Sequence, residues 1–323
     1  MAAKVFVLIA HTAGKADDST LELASAARTM FPDCAATALV MGSAADAAAV
    51  AQEAAASFAE VWSFGQECLA YPNAELLRPL LVKALPAGSV LLMPHSTLGM
   101  DLAPGLSVQL GASYLPDVVG FDRQDGATIQ VVRQEFAAQV SAHLQGQLAS
   151  GAVITLRSGA FAAAEGSGAG QVVDKSDLAA GLTARRRFLS VVKAEAGDID
   201  ITREEVLVSV GRGIGEQENL GLVDELAEAM GAAVSCSRPI VDAKWLEKAR
   251  QVGTSGQTVK PKLYLALGIS GAFQHMGGLK GNPFILAVNK NPKAPIFQMA
   301  NVGVVADLME LLPELTEQIS KSK

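Results

Sequence analysis

The stretch KLYLALGISGAFQHMGGLKGNPFILAVN, Lys262 to Asn289, holds the densest set of residues able to do chemistry. Leu263 to Leu267 reads as a buried strand. Gly268, Ile269, Ser270 and Gly271 make a small-residue turn, and a short helix carries Gln274 and His275. A second apolar strand, Phe284 to Val288, ends in Asn289 and Lys290. Strands buried on both faces appear as continuous Val/Ile/Leu-rich runs, and open α/β sheets bind ligands beyond the carboxyl ends of their strands. This β-α-β unit therefore brings Ser270, Gln274, His275 and Asn289 to one sheet edge.

Three further segments offer groups of the same kind. Gly211-Arg212-Gly213-Ile214-Gly215 lies between a strand and a helix, where backbone N–H groups can cradle a phosphate. It departs from G-x-G-x-x-G, and such turns also serve simply to pack a strand closely on a helix. Gln251-Val252-Gly253-Thr254-Ser255-Gly256 supplies two hydroxyls and free N–H groups. Arg238, in Cys236-Ser237-Arg238-Pro239, ends a strand just before a proline that stops the ladder. Arginines so placed ordinarily make surface ion pairs. The ordinary reading of His11, His95, His143 and His275 is a hydrogen-bonded core residue, and none is spaced with Cys, Asp or Glu as a metal set. No G-x-S-x-G elbow or other local Ser/His/Asp signature occurs. Yet Arg238, Ser255, Ser270, Gln274, His275 and Asn289 converge on the strand ends of one parallel sheet. Cationic donors, neutral donors, glycine turns and no evident nucleophile suit a nucleotide-like cofactor whose ring takes up negative charge.

The elements that position these residues follow from periodicity. Strands over Lys4 to Ala10, Ala36 to Met41, Glu60 to Phe64 and Ser89 to Met93 alternate with helices over Ser19 to Met30, Ala44 to Phe58, Asn73 to Leu85 and Leu102 to Leu110. That alternation predicts a parallel sheet with right-handed crossovers. From Pro116 the texture changes to short runs (Val118 to Phe121, Ala127 to Val132, Gln139 to Leu144, Val153 to Leu156, Arg186 to Val192), read as appended antiparallel strands. Ala162 to Gly170 reads as a flexible surface loop, and the acidic, small-residue stretch Ala194 to Thr202 as a domain boundary. A second α/β series follows, with strands Val206 to Val210, Ala232 to Ser235, Leu263 to Leu267, Phe284 to Val288 and Pro295 to Gln298. Its helices are Asn219 to Met230, Trp245 to Ala249, the one around Gln274, and Val304 to Ile319. The expected architecture is α/β in two domains, 1–195 and 203–323, the second a doubly wound parallel sheet.

Composition excludes other classes. The 323 residues include 50% hydrophobic ones, enough for two cores. A net charge of −7, with no basic run longer than Arg185-Arg186-Arg187, leaves no electrostatic footprint for nucleic acid. Mean hydropathy is +0.29, yet the apolar runs fall far short of the roughly 20 residues a bilayer span needs, so no membrane insertion is expected. The N-terminal apolar run passes into a strand pattern rather than a signal-peptide pattern, which points to the cytoplasm. Cys34, Cys68 and Cys236, odd in number and widely spaced, read as small buried hydrophobes.

The segment Ser237 to Gln298 resembles the alpha subunits of electron transfer flavoproteins. The resemblance rests on Leu-Tyr-x-Ala-x-Gly-Ile-Ser-Gly-Ala-x-Gln-His, Leu263 to His275, followed by Ala287-Val288-Asn289. The upstream GRGIGEQEN and the terminal VADLMELLPEL resemble the family too, and the α/β first half is similar to its more variable N-terminal domain. The resemblance implies an electron carrier without a substrate of its own. FAD would sit mostly on the C-terminal domain, and the chain would pair with a beta subunit contacted by the N-terminal domain. The donor would be a dehydrogenase such as an acyl-CoA dehydrogenase, the acceptor another oxidoreductase or a quinone-linked partner. An electron-bifurcating relative using NADH, and a flavin-dependent enzyme with its own substrate, remain the alternatives. By resemblance, Arg238 stands beside the isoalloxazine ring, His275 near its O2 edge and Ser255 near N5. Ser237, Gln251, Gly256, Ser270, Gln274 and Asn289 are similar to the ribityl, diphosphate and adenosine contacts. Two positions depart from the pattern: Ser255 replaces a usual threonine, and Asn301 a common aspartate next to the adenosine.

Overall fold

The computed structural model describes residues 4–136, 140–163, 166, 168–191, 199–281 and 283–322, which form two compact units dividing between Leu189 and Ser190. In the first unit nine strands make one mixed sheet. Its parallel part contains β1 (Val5–Ile9), β4 (Thr37–Gly42), β5 (Glu60–Gly65), β6 (Val90–Pro94), β10 (Ala152–Leu156) and β11 (Gln171–Asp174). β2 (His11–Thr12) and β3 (Lys15–Ala16) form a small separate hairpin. β7 (Ser113–Asp125), β8 (Thr128–Glu135) and β9 (Val140–Gln147) add an antiparallel meander, giving the order β11-β5-β4-β1-β6-β10-β7-β8-β9.

Every residue of β1 is buried because both sheet faces are covered. Val5, Val7 and Ile9 pack on one side with Leu23 and Met30 of α1 (Ser19–Met30) and Val50 of α2 (Ala44–Ala54). Phe6 and Leu8 pack on the other with Leu77 and Leu80 of α3 (Ala74–Ala84) and Leu102 and Leu106 of α4 (Thr97–Leu110). Each such side chain contributes on the order of 1.5–3 kcal/mol by leaving water.

The first unit corrects several expectations. β10 is parallel to both its neighbours and lies inside the sheet, as its fully buried AVITL run requires. Arg186 to Val191 forms no strand, and Val192 lies outside the described residues. The Arg185 and Arg186 N–H groups instead donate to Glu75 Oε2 at 2.7 and 3.0 Å, and the Arg186 guanidinium pairs with Asp101 at 2.7 Å. α2 ends at Ala54 rather than Phe58, while α4 begins at Thr97 because Ser96 Oγ accepts from Gly99 N at 3.2 Å. In the stretch expected to be a flexible loop, residues 164, 165 and 167 lie outside the described residues. Its end is tied down: Gly168 and Gly170 donate to the carbonyls of Ala56 and Ala55 at 2.9 and 2.8 Å, leading into β11, which periodicity missed. Of the cysteines only Cys236 is buried; Cys34 is partly exposed and Cys68 exposed.

The second unit is a parallel five-stranded sheet of β12 (Val206–Val210), β13 (Ala233–Cys236), β14 (Leu263–Leu267), β15 (Phe284–Val288) and β16 (Val302–Val304), ordered β13-β12-β14-β15-β16. α5 (Leu220–Met230) and α8 (Leu308–Lys321) cover one face through Val223, Leu226, Leu308 and Leu312. The other face is covered largely by irregular chain: Val252, Val259, Met276 of α7 (Phe273–Met276), Ala294 and Ile296. That irregularity defeats helical periodicity. Trp245 to Ala249 is not a helix; α6 (Arg238–Asp242) precedes it and a 3-10 turn, Lys248–Arg250, follows. Pro295–Gln298 is likewise a 3-10 turn, the last strand being β16, so α8 starts at Leu308 instead of Val304. Of the expected domain linker, residues 194–198 lie outside the described residues. Among the described residues no helix is long and apolar enough to cross a membrane.

Candidate functional site

The first strand of the second unit, β12, lies between the second and the third, so successive connections leave in opposite directions at the carboxyl edge between β12 and β14. Such a switch point opens a crevice that loops cannot fill. The turns after β12 and β14 meet there back to back: a Cβ on Gly213 would stand 2.7 Å from Gly268 Cα, and Gly268 adopts φ +64. Gly213 N donates to Gly268 O at 3.0 Å, closing the floor.

Above this floor lies a cleft of about 480 Å³. Arg212 and Gly213 line it from the β12 turn; Ser237, Arg238 and Pro239 line it from the start of α6. Gly268, Ile269, Ser270, Ala272, Gln274 and His275 approach from the β14 connection, and Asn289 from the end of β15. Gln251, Val252, Gly253, Thr254 and Ser255 form the remaining wall. This wall is fixed by backbone bonds, Val252 N to Cys236 O at 2.9 Å and Thr254 N to Gln274 O at 2.7 Å. Among the described residues no lining side chain is acidic.

Individual side chains are held in defined roles. Gln251 is buried, and its Nε2 donates to Ser255 Oγ at 3.0 Å, so the Ser255 hydroxyl keeps its own proton to donate. Asn289 Nδ2 donates to Ile269 O at 2.9 Å, locking the β14 turn to the β15 end. Arg238 is largely exposed and stands 3.4 Å from Asp242 Oδ2 through Nε, one helical turn on. His275 is 7% exposed, with Nε2 2.7 Å from the Tyr264 hydroxyl. Burial pushes its pKa down to about 4 against an opposing, smaller effect of the Val252 backbone. The imidazole is therefore neutral at pH 7 and not a second cation.

Four residues singled out from sequence stand outside the cleft lining. Gly256 N donates to Gly253 O at 3.0 Å, closing the 251–256 turn from behind. Gly271 packs against Ile296. Lys290 pairs with Asp307 at 2.9 Å, holding that carboxyl below its usual range. Asn301 Oδ1 accepts from Ile285 N at 2.8 Å and its N–H donates to Ile285 O at 2.9 Å, so its side chain continues the ladder between β15 and β16. In the other direction, Gly213, Pro239 and Ala272 line the cleft without having been singled out, although all three sit inside motifs already quoted.

The donor set fits a flavin dinucleotide. Two guanidinium groups suit a diphosphate or a ring that gathers negative charge, and neutral hydroxyl and amide groups suit a polyol and a ring edge. Comparison with known proteins agrees. The electron transfer flavoprotein FAD-binding domain matches residues 200–280, and the electron transfer flavoprotein domain matches residues 5–180. The electron transfer flavoprotein subunit alpha of Mycobacterium tuberculosis is 36% identical over 324 residues, covering 99% of each chain. A probable electron transfer flavoprotein subunit alpha, mitochondrial, of Cryptococcus neoformans var. grubii is 33% identical over 328 residues, covering 99% of this chain and 93% of its own. Subunit LctC of a lactate dehydrogenase (NAD(+),ferredoxin) from Acetobacterium woodii is 34% identical over 77% of this chain and 59% of its own. A switch-point cleft with this donor set, on a chain matched along both units, makes the protein a member of the electron transfer flavoprotein alpha subunits, a carrier of electrons that binds FAD.

Proposed function

We propose that the chain pairs with an electron transfer flavoprotein beta subunit, receives electrons from a dehydrogenase and delivers them to a second oxidoreductase, with the cytoplasm as its compartment. The observation that carries this reading is the cleft at the β12/β14 switch point, rimmed by Arg212 and Arg238 and, among the described residues, free of acidic side chains. FAD, when bound, supplies one- and two-electron chemistry.

In this reading the chain's own groups bind and tune. Ser237, Ser270, Gln274 and Asn289 hold the polyol and diphosphate, while the N–H groups of Val252, Gly253, Thr254 and Gly256 are spent on backbone carbonyls that shape the wall. Arg238 lends positive charge beside the ring, and Arg212 lends it along the diphosphate. Ser255, with its oxygen already accepting from Gln251, offers a proton toward the ring edge. His275 contributes a dipole rather than a charge, since burial keeps it neutral. Asn301 has its Oδ1 engaged at the β15 edge, which leaves only its Nδ2 to offer an adenosine. The first unit, about 190 residues, carries partner contacts.

Coexpression with an electron transfer flavoprotein beta subunit from the same organism tests the reading. A 1:1 complex retaining one FAD on this chain is expected. A monomer holding stoichiometric FAD with the same potential would overturn the pairing. The name of the Acetobacterium relative keeps an electron-bifurcating complex as the second reading; two flavins per heterodimer, with NADH as donor, would favour it.

A further inference from the structure

Behind the cleft wall lies a buried polar cluster. Tyr264, the second residue of β14, is 0% exposed, and its hydroxyl is 2.7 Å from His275 Nε2. The hydroxyls of Ser209 and Ser235, from β12 and β13, are fully buried near the phenol oxygen and have no partner within hydrogen-bond geometry among the described residues. His275 Nδ1 is also buried, with the Val252 backbone nearby but outside hydrogen-bond geometry.

A neutral imidazole carries one proton, and which nitrogen holds it is set by the bond the other nitrogen makes. A phenol is a far stronger acid than a neutral imidazole N–H, and the imidazole nitrogen is the stronger base. The short contact is therefore a Tyr264 O–H donating to Nε2. This leaves the phenol oxygen's lone pairs for the two serine hydroxyls, which would otherwise be buried without an acceptor. It also places the imidazole N–H where a backbone acceptor stands, instead of setting a bare lone pair against it.

We propose that Tyr264 is a positioning residue: by donating to Nε2 it fixes the proton of His275 on Nδ1 and holds the ring in one orientation at the cleft wall. The inference rests on the reading of His275 as a cofactor contact, because a fixed imidazole dipole matters for redox tuning only there. Tyr264 acts through His275 and itself reaches no cofactor.

The test uses the holo heterodimer in which this chain alone carries ¹⁵N-histidine. Long-range ¹H–¹⁵N correlation spectra report the tautomer, and loss of one signal set in His275→Gln assigns His275 among the four histidines. The expected wild-type pattern is protonated Nδ1 with bare Nε2. Tyr264→Phe, which removes one oxygen and keeps the ring, is expected to shift the pattern to a mixture or to protonated Nε2. 3-Fluorotyrosine at position 264, still a donor, is expected to restore it. A wild-type ring protonated on Nε2 overturns the proposal without any variant, so a Tyr264→Phe chain that fails to fold does not shield it. An unchanged tautomer in Tyr264→Phe overturns it as well, and reduces the phenol to packing. The underlying reading fails separately: a flavin potential unaffected by His275→Gln would remove His275 from the cofactor site while leaving the tautomer result intact.

Discussion

At the level of single residues, the cleft separates charge from polarity. Arg238→Ala should lower the first one-electron potential of the bound flavin by more than it weakens binding, since the cation favours reduced, anionic ring states over the neutral oxidised ring. Arg238 is exposed in this chain and neighboured by Asp242, so one charge is worth on the order of 1–3 kcal/mol, about 40–130 mV for one electron. Redox titration checks this, and an unchanged potential with FAD simply lost would make Arg238 a binding residue only. His275 behaves differently. Sequence alone leaves open a histidine that charges near neutral pH, but burial moves its folded pKa to about 4, below its ordinary 6.5. The unfolded chain then binds the proton first, so stability is full above pH 6.5 and falls as pH drops from 6.5 toward 4. Between pH 7 and 5 the loss is about 2 kcal/mol. Urea unfolding at those two pH values should show a smaller drop in His275→Gln; equal drops would mean that His275 is hydrated in the folded chain. Which residues were candidates was legible from type and position at strand ends, whereas their protonation was not, because it depends on what lies behind them. Tyr264 reads as one more apolar strand residue until its hydroxyl is seen against the imidazole.

At the level of elements, the turns after β12 and β14 can meet only because both are glycine. Gly268→Ala combines a left-handed backbone with a Cβ 2.7 Å from Gly213 Cα, while Gly231→Ala, at φ +63, meets nothing within 4 Å. The second change should cost about 1 kcal/mol. The first should exceed it by roughly 1–3 kcal/mol and lower FAD affinity. Chemical denaturation of both variants isolates the packing contribution, and equal losses would show that the turns give way easily. β12, β14 and β15 could be read directly, since their apolar runs are set by burial on both faces. β11 could not, because QVVD is too short for periodicity and owes its ladder to β5, far away in sequence. The same holds for Pro295–Gln298, whose apolar residues pack on the sheet from a 3-10 turn, and for β10, which follows an antiparallel meander along the chain yet runs parallel to both its neighbours in space.

At the level of the whole molecule, each unit has its own pair of cores, and among the described residues of the acidic, small-residue stretch at the start of the second unit the packing falls to Ile199 and Ile201. Limited proteolysis should cut between Leu189 and Ile199 before it reaches the glycine-rich segment that Ala55 and Ala56 tie down, releasing a C-terminal fragment that retains FAD. Flavin recovered only with the N-terminal fragment would reverse the assignment. The order of strands in the first sheet also fixes a sequence in time. β5 gains its outer neighbour only when β11 exists, and roughly a hundred residues separate them, about 5–20 s of synthesis at about 5–20 residues per second. β6 and β7 are joined only by β10, so until Ala152–Leu156 leaves the ribosome the sheet exists as two unconnected pieces. A nascent chain stalled before Gln171 leaves β5 with a bare edge, a template for pairing with another chain. A fragment ending at residue 160 should therefore scatter light at concentrations where one ending at residue 189 stays clear, and equal clarity would show that the β5 edge is protected by other means. Chaperone demand for this protein is thus concentrated in the middle of its translation, while the residues that will hold FAD have yet to be made.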